Sequence, residues 1–139
     1  MRYFYLLILT FIVTAMGYTQ TDTPKFDKLV YKIKARGSFS QLTVFPDKII
    51  YVNGDSYKNH PITANDYQEL SDLLNEIDAS KIPSFKAPTN ERARDKAMQA
   101  NVSVYLRDST YSSQAFDAGA PPVPLQKLLE KVFELSRQN

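Results

Sequence analysis

The stretch Lys28-Leu29-Val30-Tyr31-Lys32-Ile33-Lys34-Ala35-Arg36 alternates two kinds of side chain. Apolar or aromatic residues take every second position, at Leu29, Tyr31, Ile33 and Ala35. Basic residues take the positions between them, apart from Val30, at Lys28, Lys32, Lys34 and Arg36. An alternation with a period of two, in which one face is solvent-exposed, is typical of a half-buried strand in an antiparallel sheet. This stretch therefore predicts an antiparallel sheet with one face turned towards a core.

The same alternation predicts further strands on the C-terminal side of this stretch. They cover residues 39–45, 48–53, 100–107 and 110–116, and a weaker candidate covers residues 56–59. Gly37-Ser38, Pro46-Asp47, Asn53-Gly54 and Asp108-Ser109 supply turns between neighbouring strands. Short turns of this kind connect antiparallel strands.

Two segments carry apolar residues at helical spacing instead. The first begins at Thr63, with Asp66 three residues on as a short-armed relative of the capping box, and ends near Asp78. Its apolar face comprises Tyr67, Leu70, Leu73, Leu74 and Ile77. The second begins at Pro124, a residue that fits the first turn of a helix. Its apolar face comprises Leu125, Leu128, Leu129, Val132 and Leu135.

The predicted order of elements is β-β-β-α-β-β-α, which is an α+β pattern. We expect a single antiparallel sheet of about five strands with two helices packed on one face. The length of the chain fits one domain, which we place at residues 27–139.

The N-terminal residues predict export from the cytoplasm. Arg2 precedes a short apolar run over residues 3–13, and small residues follow at Ala15 and Gly17. This is the pattern of a cleavable signal peptide over residues 1–17, followed by a flexible mature N-terminus over residues 18–26. The alternative is a retained membrane anchor, for which the apolar run is short. Since the chain has no cysteine for a lipid anchor, we expect a periplasmic or secreted protein.

Composition excludes several classes of function. Once Arg2 is removed with the signal, 16 basic and 15 acidic residues remain, and this near-neutral balance predicts no nucleic-acid partner. It also gives no reason for membrane binding beyond the signal peptide. One histidine and no cysteine argue against a structural zinc site, and we expect no metal and no cofactor.

Two polar segments form the first candidate site. One is residues 86–95, with Arg92, Arg94 and Asp95, and the other is residues 116–122, with Asp117. They flank the last predicted hairpin at its two ends, which antiparallel pairing brings together. Asp95 and Asp117 would then share an arginine, either as a recognition site for a small polar ligand or as a latch that holds the chain's own turns.

The basic strand face is a second, weaker candidate, for binding an acidic partner. It consists of Lys28, Lys32, Lys34 and Arg36. The alternative is a solvated sheet face, since exposed lysines are common and discourage edge pairing.

Many residues between positions 62 and 122 carry a resemblance to a known family. They are Ile62-Thr63, Asp66-Tyr67, Leu70, Leu73-Leu74, Ile77-Asp78, Ile82-Pro83, Lys86-Ala87-Pro88-Thr89, Arg92, Asp95, Ala97, Ala100, Tyr111, Ser113, Phe116-Asp117 and Pro121-Pro122. In this region the chain resembles an uncharacterised family of small exported proteins of Bacteroidota-type bacteria. The resemblance implies an exported location and no particular activity. Family members often have a histidine after the second aspartate, where this chain has Ala118, so the resemblance favours binding over chemistry.

These observations predict a non-enzymatic binding module that recognises an envelope protein or a small polar ligand. One alternative is a small hydrolase or lyase with Asp95 and Asp117 as an acid/base pair, since two carboxylates in different environments can divide these roles. A second alternative is a structural accessory protein of the cell envelope.

Overall fold

The computed structural model describes residues 25–138. The predicted signal peptide and the segment 18–24 lie outside these residues. Phe26, which the predicted boundary assigns to the N-terminal segment, is 1% exposed and belongs to the core. Its carbonyl oxygen accepts a hydrogen bond from the hydroxyl of Tyr67. The packed domain therefore includes Phe26.

The strands form one antiparallel sheet. They are β1 (Lys28–Ala35), β2 (Ser38–Val44), β3 (Lys48–Asn53), β4 (Ser56–Pro61), β5 (Gln99–Leu106), β6 (Ser109–Ser112) and β7 (Phe116–Asp117). Their order across the sheet is β4-β3-β2-β1-β5-β6, and β7 also pairs with β5. Strand β1 lies at the centre, where Leu29 pairs with Val44 on one side and Val104 on the other.

The predicted α+β class, with one antiparallel sheet and two main helices, is confirmed. The predicted number of about five strands is wrong, because the described part of the chain forms seven. Strand β4 is almost wholly exposed and so lacks an apolar alternation, but the turn at Asn53-Gly54 pairs it with β3. The expected last strand divides into β6 and β7 because the hydroxyl of Ser113 accepts a hydrogen bond from the backbone of Val102, which interrupts the ladder.

The order of elements also differs in detail from the prediction. Four strands precede helix α1 (Ala64–Ile77), and three lie between α1 and helix α2 (Gln126–Arg137). Short 3₁₀ helices cover Ala79–Ser84, Glu91–Arg94 and Val123–Leu125. The last of these contains Pro124, so the proline lies just before α2 rather than inside its first turn.

Local sequence explains where α1 begins. Thr63 is its N-cap, and the Thr63 hydroxyl accepts a hydrogen bond from the Asp66 backbone at 3.1 Å. The Asp66 carboxylate accepts in return from the Thr63 backbone at 2.9 Å. This is a complete capping box, as the sequence predicted. It satisfies two backbone N–H groups that the first turn of a helix leaves without partners.

The core lies between the two helices and one face of the sheet. Strand side chains of that face, including Leu29, Tyr31 and Val102, form one cluster with apolar residues of both helices. All five residues predicted for the apolar face of α2 are buried, namely Leu125, Leu128, Leu129, Val132 and Leu135. Burial of such side chains is the main favourable contribution to folding.

Burial decreases along the helix-bearing side of β1. Leu29 is 0% exposed and Tyr31 is 4% exposed, Ile33 is half-buried, and Ala35 is exposed. Met98, which precedes β5 at the same end of the sheet, is 48% exposed. The core is therefore closed at the start of β1 and open at its end.

Candidate functional site

Asp117 lies at the centre of the first candidate site and is held by the chain itself. Its Oδ2 accepts hydrogen bonds from the Thr89 hydroxyl and, at 2.7 Å, from the Glu91 backbone. Its Oδ1 accepts from the backbone of Arg92 at 2.9 Å and from Nη1 of the same residue at 3.1 Å. The Asp117 side chain is only 4% exposed. We call Asp117 and its donors Thr89, Glu91 and Arg92 the latch.

The latch keeps Asp117 ionised. Burial alone would raise the pKa of this carboxyl, but the hydrogen bonds from Thr89, Arg92 and Glu91 outweigh it and hold the pKa well below the ordinary value. A carboxylate with every oxygen engaged in this way positions backbone rather than exchanging protons. The latch ties the segment before β5 to the turn after β7.

Asp95 does not join Asp117 in sharing an arginine. It follows the 3₁₀ helix in a left-handed conformation, with φ of 56°, and its Oδ2 lies 3.7 Å from Nη2 of Arg36. Both side chains of this pair are largely exposed, at 80% and 94%, so the pair adds little stability. Arg94 is exposed as well. Of the four residues predicted for this site, the structure joins Arg92 to Asp117 and places Asp95 beside Arg36, directly after β1.

A cleft brings two residues of each candidate group together. It has a volume of about 610 Å³ and lies between the end of β1 and the segment that leads into β5. Its lining residues are Lys34, Ala35, Arg36, Arg92, Asp95, Lys96, Ala97, Met98 and Gln99. Among these described residues, four are cationic and Asp95 alone is acidic. We call this the basic cleft.

The remaining residues of the basic strand face lie away from the cleft. Lys28 extends over the ring of Tyr105, with Nζ 4.3 Å from the ring centroid, a favourable cation–π distance. Lys32 is half-buried and pairs in register with Gln41 and Asn101. Across the strands that the structure describes, Asp117 is the only acidic residue, so the sheet itself is basic.

Sequence reasoning missed several residues of this site. Thr89 and Glu91 lie within residues 86–95, but neither the Thr89 hydroxyl nor the Glu91 backbone N–H group has a sequence signature that marks it as a donor to Asp117. Lys96 and Met98 lie between the first predicted helix and the strand predicted over residues 100–107. Charge is the sequence feature that could have identified Lys96, because Lys96 extends the group of basic residues that begins at Arg92.

The described residues hold no group of three His, Cys, Asp or Glu side chains that could bind a metal ion. In the same part of the chain, neither helix has the length and hydropathy to cross a membrane.

The sequence matches no protein-family model and no curated protein. The resemblance to the exported Bacteroidota-type family therefore stays a prediction.

Proposed function

We propose that this chain is an exported, non-enzymatic binding module whose basic cleft takes a small anionic ligand. The observation that carries the proposal is the charge of the cleft: Lys34, Arg36, Arg92 and Lys96 line it against Asp95. Asp117 neutralises Arg92 from outside the lining, so two positive charges remain in excess. A cleft lined mainly by one sign of charge concentrates ligands of the opposite sign and speeds their association.

The cations also suit recognition of a carboxylate, sulfate or phosphate. The two arginines offer planar pairs of N–H donors, which match the geometry of such groups. Lys34 and Lys96 are exposed and can turn towards a ligand, and Arg36 is held only by its exposed contact with Asp95. Nη1 of Arg92 donates to Asp117 and to the carbonyl oxygen of Thr89, each at 3.1 Å, which orients the guanidinium group before a ligand arrives.

The two alternatives have less support. A hydrolase or lyase with Asp95 and Asp117 as its acid/base pair needs a carboxyl that exchanges protons near neutral pH. The lowered pKa and the four hydrogen bonds of Asp117 oppose that role. A purely structural accessory protein of the envelope would bind no small anion, so one experiment separates it from a binding module.

The experiment follows backbone amide chemical shifts by NMR while acetate, sulfate or citrate is added at low ionic strength. We expect saturable shifts around Lys34, Arg36 and Lys96. The double substitution Arg36→Glu with Lys96→Glu should abolish them. Lys58→Glu with Lys127→Glu changes the net charge equally at exposed positions outside the cleft and should leave them intact. Equal loss in both variants, or no saturable shift in the unmodified protein, would overturn the proposal.

A further inference from the structure

An apolar groove continues from the basic cleft along the helix-bearing face of the sheet. It consists of two hollows, of about 340 and 570 Å³, that share Tyr31, Gly119 and Phe133. The first is also lined by Met98, which lines the basic cleft as well. Cleft and groove therefore adjoin at Met98, at the end of β1 where the core is open.

Aromatic rings and aliphatic side chains form the walls of the groove. The rings of Tyr31 and Phe133 meet edge to face, with centroids 5.1 Å apart. Tyr51 and Ile33, both half-buried, line the hollow nearer the cleft. Burial raises the pKa of Tyr31, so its hydroxyl stays neutral and adds no negative charge to the groove at physiological pH. Walls of this kind suit a flat or elongated apolar body.

The latch shapes the rim of the groove. The Ala120 backbone donates a hydrogen bond to the Asp117 carbonyl oxygen at 2.8 Å, which closes the turn. Gly119 in that turn has φ of 88°, a conformation that favours glycine. Pro88, which also lines the groove, directly precedes Thr89 of the latch. The groove thus has a rim that hydrogen bonds hold in place before any ligand binds.

Charge is distributed unevenly along the connected cleft and groove. The cations Lys34, Arg36 and Lys96 lie at one end. The far hollow contains Glu130, exposed on α2, and no cation among its described lining residues. An elongated ligand with one anionic end is favoured in a single orientation, with the anion at the end of β1 and the apolar body towards α2.

We propose that the ligand is an amphipathic organic anion, whose acidic group lies in the basic cleft and whose apolar body packs against Met98, Tyr31 and Phe133. This inference rests on the proposed function, since it assigns a ligand class to the same cleft. It adds a requirement that a simple anion site lacks: the apolar body must contribute to affinity.

The test compares three probes with the purified full chain: 1-naphthylacetate, the neutral 1-naphthaleneethanol, and acetate. The first combines ring and charge, the second keeps only the ring, and the third keeps only the charge. We expect 1-naphthylacetate to bind at least about tenfold more tightly than either of the others, because burying a ring removes its apolar surface from water.

Two variants show which part of the site contributes to the affinity for each probe. Met98→Ser should weaken binding of 1-naphthylacetate about tenfold and binding of acetate much less, since it removes an apolar wall and no charge. Arg36→Glu with Lys96→Glu should weaken both anions. Tyr57→Ser, which removes a 62% exposed aromatic ring on strand β4, is the matched control and should change neither.

The outcomes separate the inference from the proposed function. If 1-naphthylacetate binds no more tightly than acetate, the amphipathic ligand class is wrong and the anion site stands. If neither anion binds, both proposals fail. If 1-naphthaleneethanol binds as tightly as 1-naphthylacetate, the groove selects apolar bodies without regard to charge, and the assigned class is again wrong.

Discussion

Nη1 of Arg92 lies 3.1 Å from Oδ1 of Asp117, although 25 residues separate them in the chain. The Arg92 side chain is 22% exposed and the Asp117 side chain 4%, so the pair is largely removed from water. Arg92 also lines the basic cleft. One side chain therefore belongs both to the latch and to the lining of the basic cleft.

The latch predicts that Asp117→Asn lowers the thermal unfolding midpoint. The substitution removes the charge and turns an NH₂ group towards donors that need an acceptor, which leaves buried N–H groups without partners. We expect a fall of about 6 °C or more for a domain of this size, measured by circular dichroism at neutral pH.

Asp95→Asn is the matched control for that experiment. It makes the same chemical change at a carboxylate that is 80% exposed and pairs only with exposed Arg36. Its midpoint should stay within about 1 °C of the unmodified protein, because exposed ion pairs contribute little. Equal midpoints for the two variants would show that Asp117 is not a latch.

The stability that Asp117 provides should depend on pH in a defined direction. The pKa of Asp117 in the folded state lies below the ordinary value of 3.8. As the pH falls towards 3.8, the unfolded chain therefore binds the proton more readily than the folded protein does. The contribution is therefore complete above that value and is lost as the pH falls through the folded-state pKa. Urea unfolding should show a constant difference between the unmodified protein and Asp117→Asn from about pH 7 to about pH 5, and a smaller one below about pH 4. A difference that grows on acidification would contradict this assignment.

Much of the fold was predictable because the sheet has one solvent-exposed face and one buried face, which the strands record as alternating polar and apolar residues. The alternation over residues 28–36 identified β1, and the spacing of Leu128, Val132 and Leu135 identified the core face of α2. Strand β4 carries no such pattern because both of its faces are exposed at the sheet edge. The division of β6 from β7 depends on a side-chain hydrogen bond of Ser113, which alternation does not record.

The candidate site was predictable only at the level of which segments meet. Residues 86–95 and 116–122 do come together, as the hairpin geometry required. Which carboxylate pairs with which arginine could not be read from the sequence, because the left-handed turn at Asp95 directs that residue towards Arg36. The groove was also beyond prediction, since it depends on where α2 stops covering the sheet.

Thr63→Ala should destabilise the protein through the capping box of α1. The substitution removes the hydroxyl that accepts from the Asp66 backbone and leaves that N–H group without a partner. The expected loss is about 1 kcal/mol. The midpoint should then fall by roughly 3–6 °C. Thr63→Ser keeps the hydroxyl and should lose much less; an equal loss in both variants would mean that the threonine methyl, not the cap, matters here.

Lys131 predicts a salt-dependent link between the two helices. Its Nζ lies 2.9 Å from Oε2 of Glu69 on α1, with Asp66 at 4.0 Å and Glu134 at 3.7 Å. The hydrogen bond to Glu69 raises the pKa of Lys131, so the ammonium stays charged well above neutral pH. Lys131→Met leaves three carboxylates facing one another and should cost about 1 kcal/mol at low salt. At about 1 M salt the Debye length shrinks to roughly 3 Å, so most of that cost should disappear. Lys127→Met, at an exposed position of the same helix, is the control and should be unfolded alongside Lys131→Met at both salt concentrations. If the loss of stability in Lys131→Met does not change with salt, it comes from packing of the lysine stem and not from its charge.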